Sequence, residues 1–416
     1  AGLGELVLSV AETQKLEKAA ELLADRFREV SLQTIQHELG RLCCELIPAI
    51  RAGNLRAKIV DKLPDFLQGL EEQGRGVETV FVGVCGINLA FEQWKFGPVR
   101  FMKGDHLDIE YLRSKIVLKD GSNPVPIPPD RTVSEVTVRG ETRYAKDVAV
   151  NRVQQALDCL QVLSLPENRG SWTGDYSHIG LFCCEPGEIA SVRTWSVGGS
   201  KLTWTWTDDA SFLLTPSMHG LVVNDDTVGK IGGRGSKNLE ELLSETRPSA
   251  FDLSLLVAIS WIANGIRERS PARKYLSFFI ALEALFVPDR VNARDAAGFQ
   301  KAILPISEGV AFLLGSSVIK RRRIEKHVRE LSDIRNRIVH RGFNEIQQAQ
   351  LLELAGYSWR CCIKAALRRN HFEDEDSFRN WLLNLKFGDG DNRMPTKEDG
   401  YSVAAILGIL VLPIVV

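Results

Sequence analysis

Two segments of the chain match the pattern R-x-x-x-x-H, Arg322 to His327 and Arg335 to His340. Each pairs a permanent cation with the one side chain that titrates near neutrality. Because the pattern occurs twice, its spacing alone decides nothing. Helical geometry separates the two. On a helix over 319–341, Ile324, Val328, Leu331 and Ile338 form one apolar stripe at about 100° per residue. Arg335 follows Leu331 by four positions and Val328 by seven, so it lies inside that stripe. Arg322 projects nearly opposite and is simply solvated. A guanidinium on an apolar face needs a partner, because burying an unpaired charge costs several kcal/mol.

A partner is available on an earlier segment. Residues 275–287 (YLSFFIALEALFV) are apolar nearly all round, which predicts a central helix, and Glu283 is its one charge. A carboxylate there is rarely left unpaired. A Glu283–Arg335 pair would satisfy both groups, and would equally serve as a plain tie between two helices. Asn336 and His340 are four apart and share a helix face. His340 falls in the last turn before Gly342, a residue suited to the left-handed position that ends a helix. The helix dipole attracts a cation there while Arg335, Arg337 and Arg341 repel one, and the sequence leaves the balance open. Residues 320–341 carry nine Lys or Arg against three Asp or Glu. That surface attracts phosphate on a chain whose overall net charge is −1.

These residues need a scaffold, and the periodicity supplies one. From Phe251 the chain reads as helices over 251–268, 271–287, 293–315, 319–341, 345–370 and 374–386. Asp374 and its acidic neighbours suit the start of the last one. Upstream, 11–51 reads as two amphipathic helices, the first with Leu16, Ala19, Ala20, Leu23 and Phe27 on one stripe, and a third helix lies near 58–73. The period then changes. Residues 77–84 and 94–102 read as strands, 121–130 with four prolines as a loop, and 145–163 as a helix. Residues 178–224 are strand-rich, with a hairpin of 192–197 and 201–207 about Gly198-Gly199-Ser200. Trp204 and Trp206 share a strand face, read as sheet cover, with base stacking as the alternative. The stretch 225–238 has no phosphate-loop motif and reads as a flexible connection before a helix, with a basic loop touching phosphates as the alternative. The fold class is therefore α+β: a mixed region over 1–246, divisible into two subdomains, a helical domain over 247–388, and a tail over 389–416.

Length and composition agree with this division. A chain of 416 residues exceeds one ordinary core. The eight cysteines show no C-x-x-C spacing and read as buried or free thiols in a reducing compartment, with no metal and no cofactor implied. No basic segment followed by an apolar core opens the chain, which predicts no leader and a cytoplasmic location. The apolar run Val403–Val416 would span about 21 Å as a helix, against a hydrocarbon core of roughly 30 Å. It reads as a packed segment, with a membrane anchor as the alternative.

Taken together, YLSFFIALEALF at 275–286, RNRIVHRG at 335–342 and the long closing helix resemble the HEPN superfamily, most closely the ApeA-like branch found in bacterial anti-phage proteins. The resemblance covers about 250–387. It implies a four- to five-helix bundle that forms a homodimer and joins two R-x-x-x-x-H helices into one composite site. It further implies that Arg335 binds the scissile phosphate, His340 transfers protons, Asn336 orients them and Glu283 holds Arg335. Arg337, Arg341, Arg329 and Lys326 would contact RNA. The 2′-hydroxyl of RNA would be the nucleophile, giving a 2′,3′-cyclic phosphate without metal and no cleavage of DNA. The expected role is a toxin or antiviral effector, with residues 1–246 sensing a phage component or a nucleotide. The alternative is a non-catalytic HEPN module that binds nucleotide or RNA, or scaffolds a complex. Residues five apart lie about 140° round a helix, so Arg335 and His340 of one chain do not face one point.

Overall fold

The computed structural model describes residues 10–103, 132–165, 180–181, 192–198, 201–207, 221–287, 298–372 and 374–387. The chain is α+β and divides into two compact units, Ala1–Gln154 with Gly180–Pro216, and Gln155–Ile179 with Ser217–Val416.

The first unit opens with α1 (Val10–Arg26), α2 (Leu32–Arg51) and α3 (Leu55–Gly74). Ala20, Phe27, Val30, Ile35 and Leu70 make their common core, with Leu23 packed against it. The stripe anticipated for the first helix thus faces inward. The strands are β1 (Val77–Cys85), β2 (Ile87–Leu89), β3 (Gln93–Phe96), β4 (Val99–Lys103) and β5 (Thr132–Arg139). After them come α4 (Thr142–Ser164), β6 (Gly180–Leu181), β7 (Val192–Gly198) and β8 (Lys201–Thr207). The sheet runs β3-β4-β5-β1-β7-β8 with antiparallel pairing, and β6 also pairs with β1. The single strand read over 94–102 is a hairpin, because Gly97-Pro98 interrupts it and pairs Phe96 with Val99. The second hairpin forms as anticipated, but Gly198, read as part of the turn, belongs to the strand: the register runs from Val192 opposite Thr207 to Gly198 opposite Lys201. The proline-bearing loop over 121–130 and the apolar run over 403–416 lie outside the described residues.

The second unit begins earlier than position 247. It takes in the last turns of α4, β9 (Leu221–Val223), α5 (Asp225–Gly232) and α6 (Ser236–Ser244). The stretch read as a flexible connection, 225–238, therefore holds α5 and the start of α6. Asn224 caps the first by accepting from the Thr227 N–H, with Asp225 and Asp226 in its first turn, where the helix dipole favours anions. Gly235, at φ 86°, supplies the left-handed turn between the two. Ile231, Leu239, Leu242 and Leu243 are buried, which holds the pair in place against their weak intrinsic propensity.

The remaining helices are α7 (Ala250–Arg267), α8 (Pro271–Phe286), α9 (Gly298–Leu314), α10 (Val318–Arg341), α11 (Gln348–Leu367) and α12 (Glu375–Phe387). Ser249 and Asp252 form a reciprocal capping box on α7. Asp374 caps α12 through the Ser377 N–H at 2.7 Å. The closing helix begins at Gln348 and not at 345, since residues 342–347 belong to no helix or strand. As anticipated, α8 is central: Tyr275, Phe278, Phe279, Ala281, Leu282, Leu285 and Phe286 are all buried. Arg369 lies buried between Asp252 and Glu245, and Arg267 meets Asp158 at 2.5 Å, so deep charges in this unit come in pairs. Among the described residues α7 alone is long and apolar enough to cross a membrane, and half of it is buried within the protein.

Candidate functional site

The site is built on α10. Ser317 starts the helix by accepting from the Lys320 N–H, and Gly342 ends it at φ 63° with its N–H on the Ile338 carbonyl. Val328, Leu331, Ile334 and Ile338 form the buried face. Ile334 belongs to that stripe and extends the set legible from the sequence. Tyr275 of α8, fully buried, donates to the Leu331 carbonyl at 2.7 Å and so pins the middle of α10.

One turn further along, Arg335 Nη2 donates to Glu283 Oε1 of α8 at 3.1 Å. The Arg335 side chain is only 13% exposed and that of Glu283 27%. The Arg335 guanidinium also lies 6.0 Å from the centre of the Phe279 ring. Burial pushes the Glu283 carboxyl above the ordinary glutamate range, and the charge and hydrogen bond of Arg335 offset only part of that rise. The arginine set into the apolar stripe thus meets the lone acidic residue of the central helix.

The other candidate residues are arranged differently. His340 is exposed in the last turn of α10, beside half-exposed Val339. Asn336 is half-buried, with Oδ1 enclosed and accepting no hydrogen bond among the described residues. Arg335 faces α8 while His340 faces outward, so one chain does not bring the two to a common point. Arg341 is exposed, and Arg337 stacks over Phe343 at 4.4 Å. Arg329 and Lys326 pair along their own helix, with Glu325 at 2.6 Å and Glu330 at 3.8 Å. Exposed pairs of this kind are worth at most about 1 kcal/mol and yield readily to a phosphate. Among the described residues no three His, Cys, Asp or Glu side chains gather as metal ligands.

The second R-x-x-x-x-H match also takes a definite form. Arg322 is exposed, as its helical position requires. His327, set aside with it in the sequence, is engaged at both ring nitrogens. Nδ1 lies 3.1 Å from the Tyr357 hydroxyl and Nε2 lies 3.0 Å from Glu353 Oε2, both on α11. The signal for this cluster was the i, i+4 spacing of Glu353 and Tyr357 on one face of the closing helix.

Comparison with protein-family models, with curated proteins and with solved structures returns no match. The functional reading therefore rests on the residues themselves.

Proposed function

We propose that this protein is a metal-independent RNA endonuclease of the HEPN type, acting in the cytoplasm as the effector of a bacterial defence or toxin system. The observation that carries the reading is the Glu283-held Arg335 one turn before an exposed His340, on a helix with a large excess of basic side chains. Two copies meeting along α10 would supply Arg335 and His340 to one cleft, which the divergence of the two side chains in one chain requires. There His340 takes the proton of the ribose 2′-hydroxyl as that oxygen attacks phosphorus. The P–O5′ bond breaks, the leaving oxygen takes up a proton, and a 2′,3′-cyclic phosphate remains. Arg335 neutralises the charge building on the phosphoryl oxygens through its planar fork. Asn336 orients the pair, and Arg337, Arg341, Arg329 and Lys326 hold flanking phosphates. The first unit senses the trigger, a phage component or a nucleotide.

Purified protein in EDTA should cut single-stranded RNA and spare DNA, and should elute as a dimer. His340→Ala should abolish cutting while RNA binding persists. Dimeric wild-type protein that cuts no RNA with any phage lysate or nucleotide added would sink the nuclease reading. The burial of Arg335 favours a second reading, a non-catalytic HEPN module in which Glu283 and Arg335 only tie two helices while the basic surface binds RNA or nucleotide. Binding without cutting in that assay would select it.

A further inference from the structure

Away from the Arg335–His340 centre, several cations line α11 and the first turns of α10. Arg360 and Lys364 of α11 and Arg368, which caps its C-terminus, follow one another at four-residue spacing and are all half-buried. Arg360 lies over the Tyr357 ring at 5.4 Å and donates from Nε to the Gly356 carbonyl at 2.8 Å. Lys364 donates to the Leu313 carbonyl at 2.8 Å. Arg368 lies over the Trp381 ring at 4.8 Å. Arg323 of α10 is exposed and stands four residues before His327, whose ring lies 3.1 Å from the Tyr357 hydroxyl, so it shares the helix face turned toward Tyr357. None of these four cations forms an ion pair with a carboxylate among the described residues. Glu353, four residues before Tyr357 on α11, is engaged with His327.

Elsewhere in the same unit three buried cations meet acids, Arg369 with Asp252 and Glu245, Arg267 with Asp158 and Arg335 with Glu283, while the partly buried Arg321 donates to the Gly315 and Leu385 carbonyls. Here burial holds Lys364 below the ordinary lysine range, opposed by Cys361 and aided to a smaller degree by Arg368 and Arg360. Burial alone lowers Arg368. Like charges held at four-residue spacing in partly desolvated positions destabilise the protein unless an anion joins them. The rings of Tyr357 and Trp381 sit among them, the interleaving of aromatic and basic groups that suits an unpaired nucleic-acid strand.

We infer that Arg323, Arg360, Lys364 and Arg368, with Tyr357 and Trp381, form a second site that binds the phosphodiester backbone of single-stranded RNA. The choice of RNA over another polyanion rests on the function proposed above. Arg323 and His340 are 17 residues apart on one helix, about 25 Å along its axis. The site therefore holds a strand several nucleotides from the point of cutting, and it selects long single strands over short ones.

The test uses the full-length His340→Ala protein, so that binding is read whether or not the wild type cuts. Anisotropy of a labelled 20-nucleotide RNA is followed against salt, with and without Arg360→Gln/Arg368→Gln. The double variant should bind about tenfold more weakly. The slope of log K against log salt should fall by roughly 1.4, the value for two phosphates of a single strand. Arg323→Gln, an exposed position outside the packing, should shift both in the same direction by about half as much. Unchanged affinity and slope in Arg323→Gln and in a folded double variant would overturn the inference. So would a mononucleotide or inorganic phosphate competing as well as the strand, since the site would then take a single phosphate. RNA bound here by a protein that cuts nothing would uphold this site and remove the nuclease reading alone.

Discussion

The Glu283–Arg335 pair lends itself to a double-mutant cycle. At 3.1 Å, two unit charges attract by about 5 kcal/mol at an effective dielectric near 20. Glu283 is 27% exposed and only one hydrogen bond joins the pair, so water screens much of that. Exposed pairs couple by under about 1 kcal/mol, and breaking a fully buried one costs roughly 3–5. A coupling of about 2 kcal/mol lies between these limits. In a domain of this size, that places the double variant Glu283→Gln/Arg335→Met about 4–8 °C above the melting temperature expected from adding the two single variants. Net stability is another matter. Burial raises the Glu283 carboxyl despite Arg335, so the ionised pair adds less to folding than its coupling suggests. The double variant should consequently be as stable as the wild type or more so, while losing RNA cleavage. Urea denaturation of the four proteins, with cleavage measured in parallel, gives every term. A coupling within about 0.5 kcal/mol of zero would show that the two residues do not hold each other, and the reading of Arg335 as a positioned group would fall.

Other consequences follow from particular groups. The Glu283 carboxyl is raised in the folded state, so its contribution to stability is full below the ordinary glutamate range and is lost as pH rises through its folded value. Asp252 has the opposite sign. Burial would raise it, but bonds from Arg369 and Ser249 outweigh burial and lower it, so its contribution is present above the ordinary aspartate range and is lost as pH falls through its folded value. Stability curves from pH 3 to 7 should therefore lose part of their acid slope in Asp252→Asn, and steepen on the acid side in Glu283→Gln. At Gly342, φ 63° admits an L side chain only at about 1–2 kcal/mol, although open space surrounds the position. Gly342→Val should accordingly melt several degrees lower, with the last turn of α10 frayed. If His340 is catalytic, that variant also cuts more slowly.

The parts that could be read in the sequence are those written in local periodicity. An apolar stripe at helical spacing reports which side of α10 is buried whatever it packs against, and an arginine inside that stripe demands an acid. The nearly chargeless run of α8 offered only Glu283, and the two residues do meet. The hairpin of β7 and β8 was legible for the same reason, since a tight turn sets register locally. Residues 225–238 read as a connection because glycines and charges weaken helix propensity there. What makes those residues helical is burial of Ile231, Leu239, Leu242 and Leu243 against partners distant in sequence. The engagement of His327 with Glu353 and Tyr357 was hidden for a related reason. Its pattern match looked like a copy of the first, and only the packing of α10 beside α11 brings the three groups within hydrogen-bond reach. Local sequence thus determined the elements and the need for a partner at Arg335. Tertiary structure decided which charges are answered and which basic side chains stand together with no acid, because desolvation and Coulomb energy depend on neighbours that only the folded chain supplies.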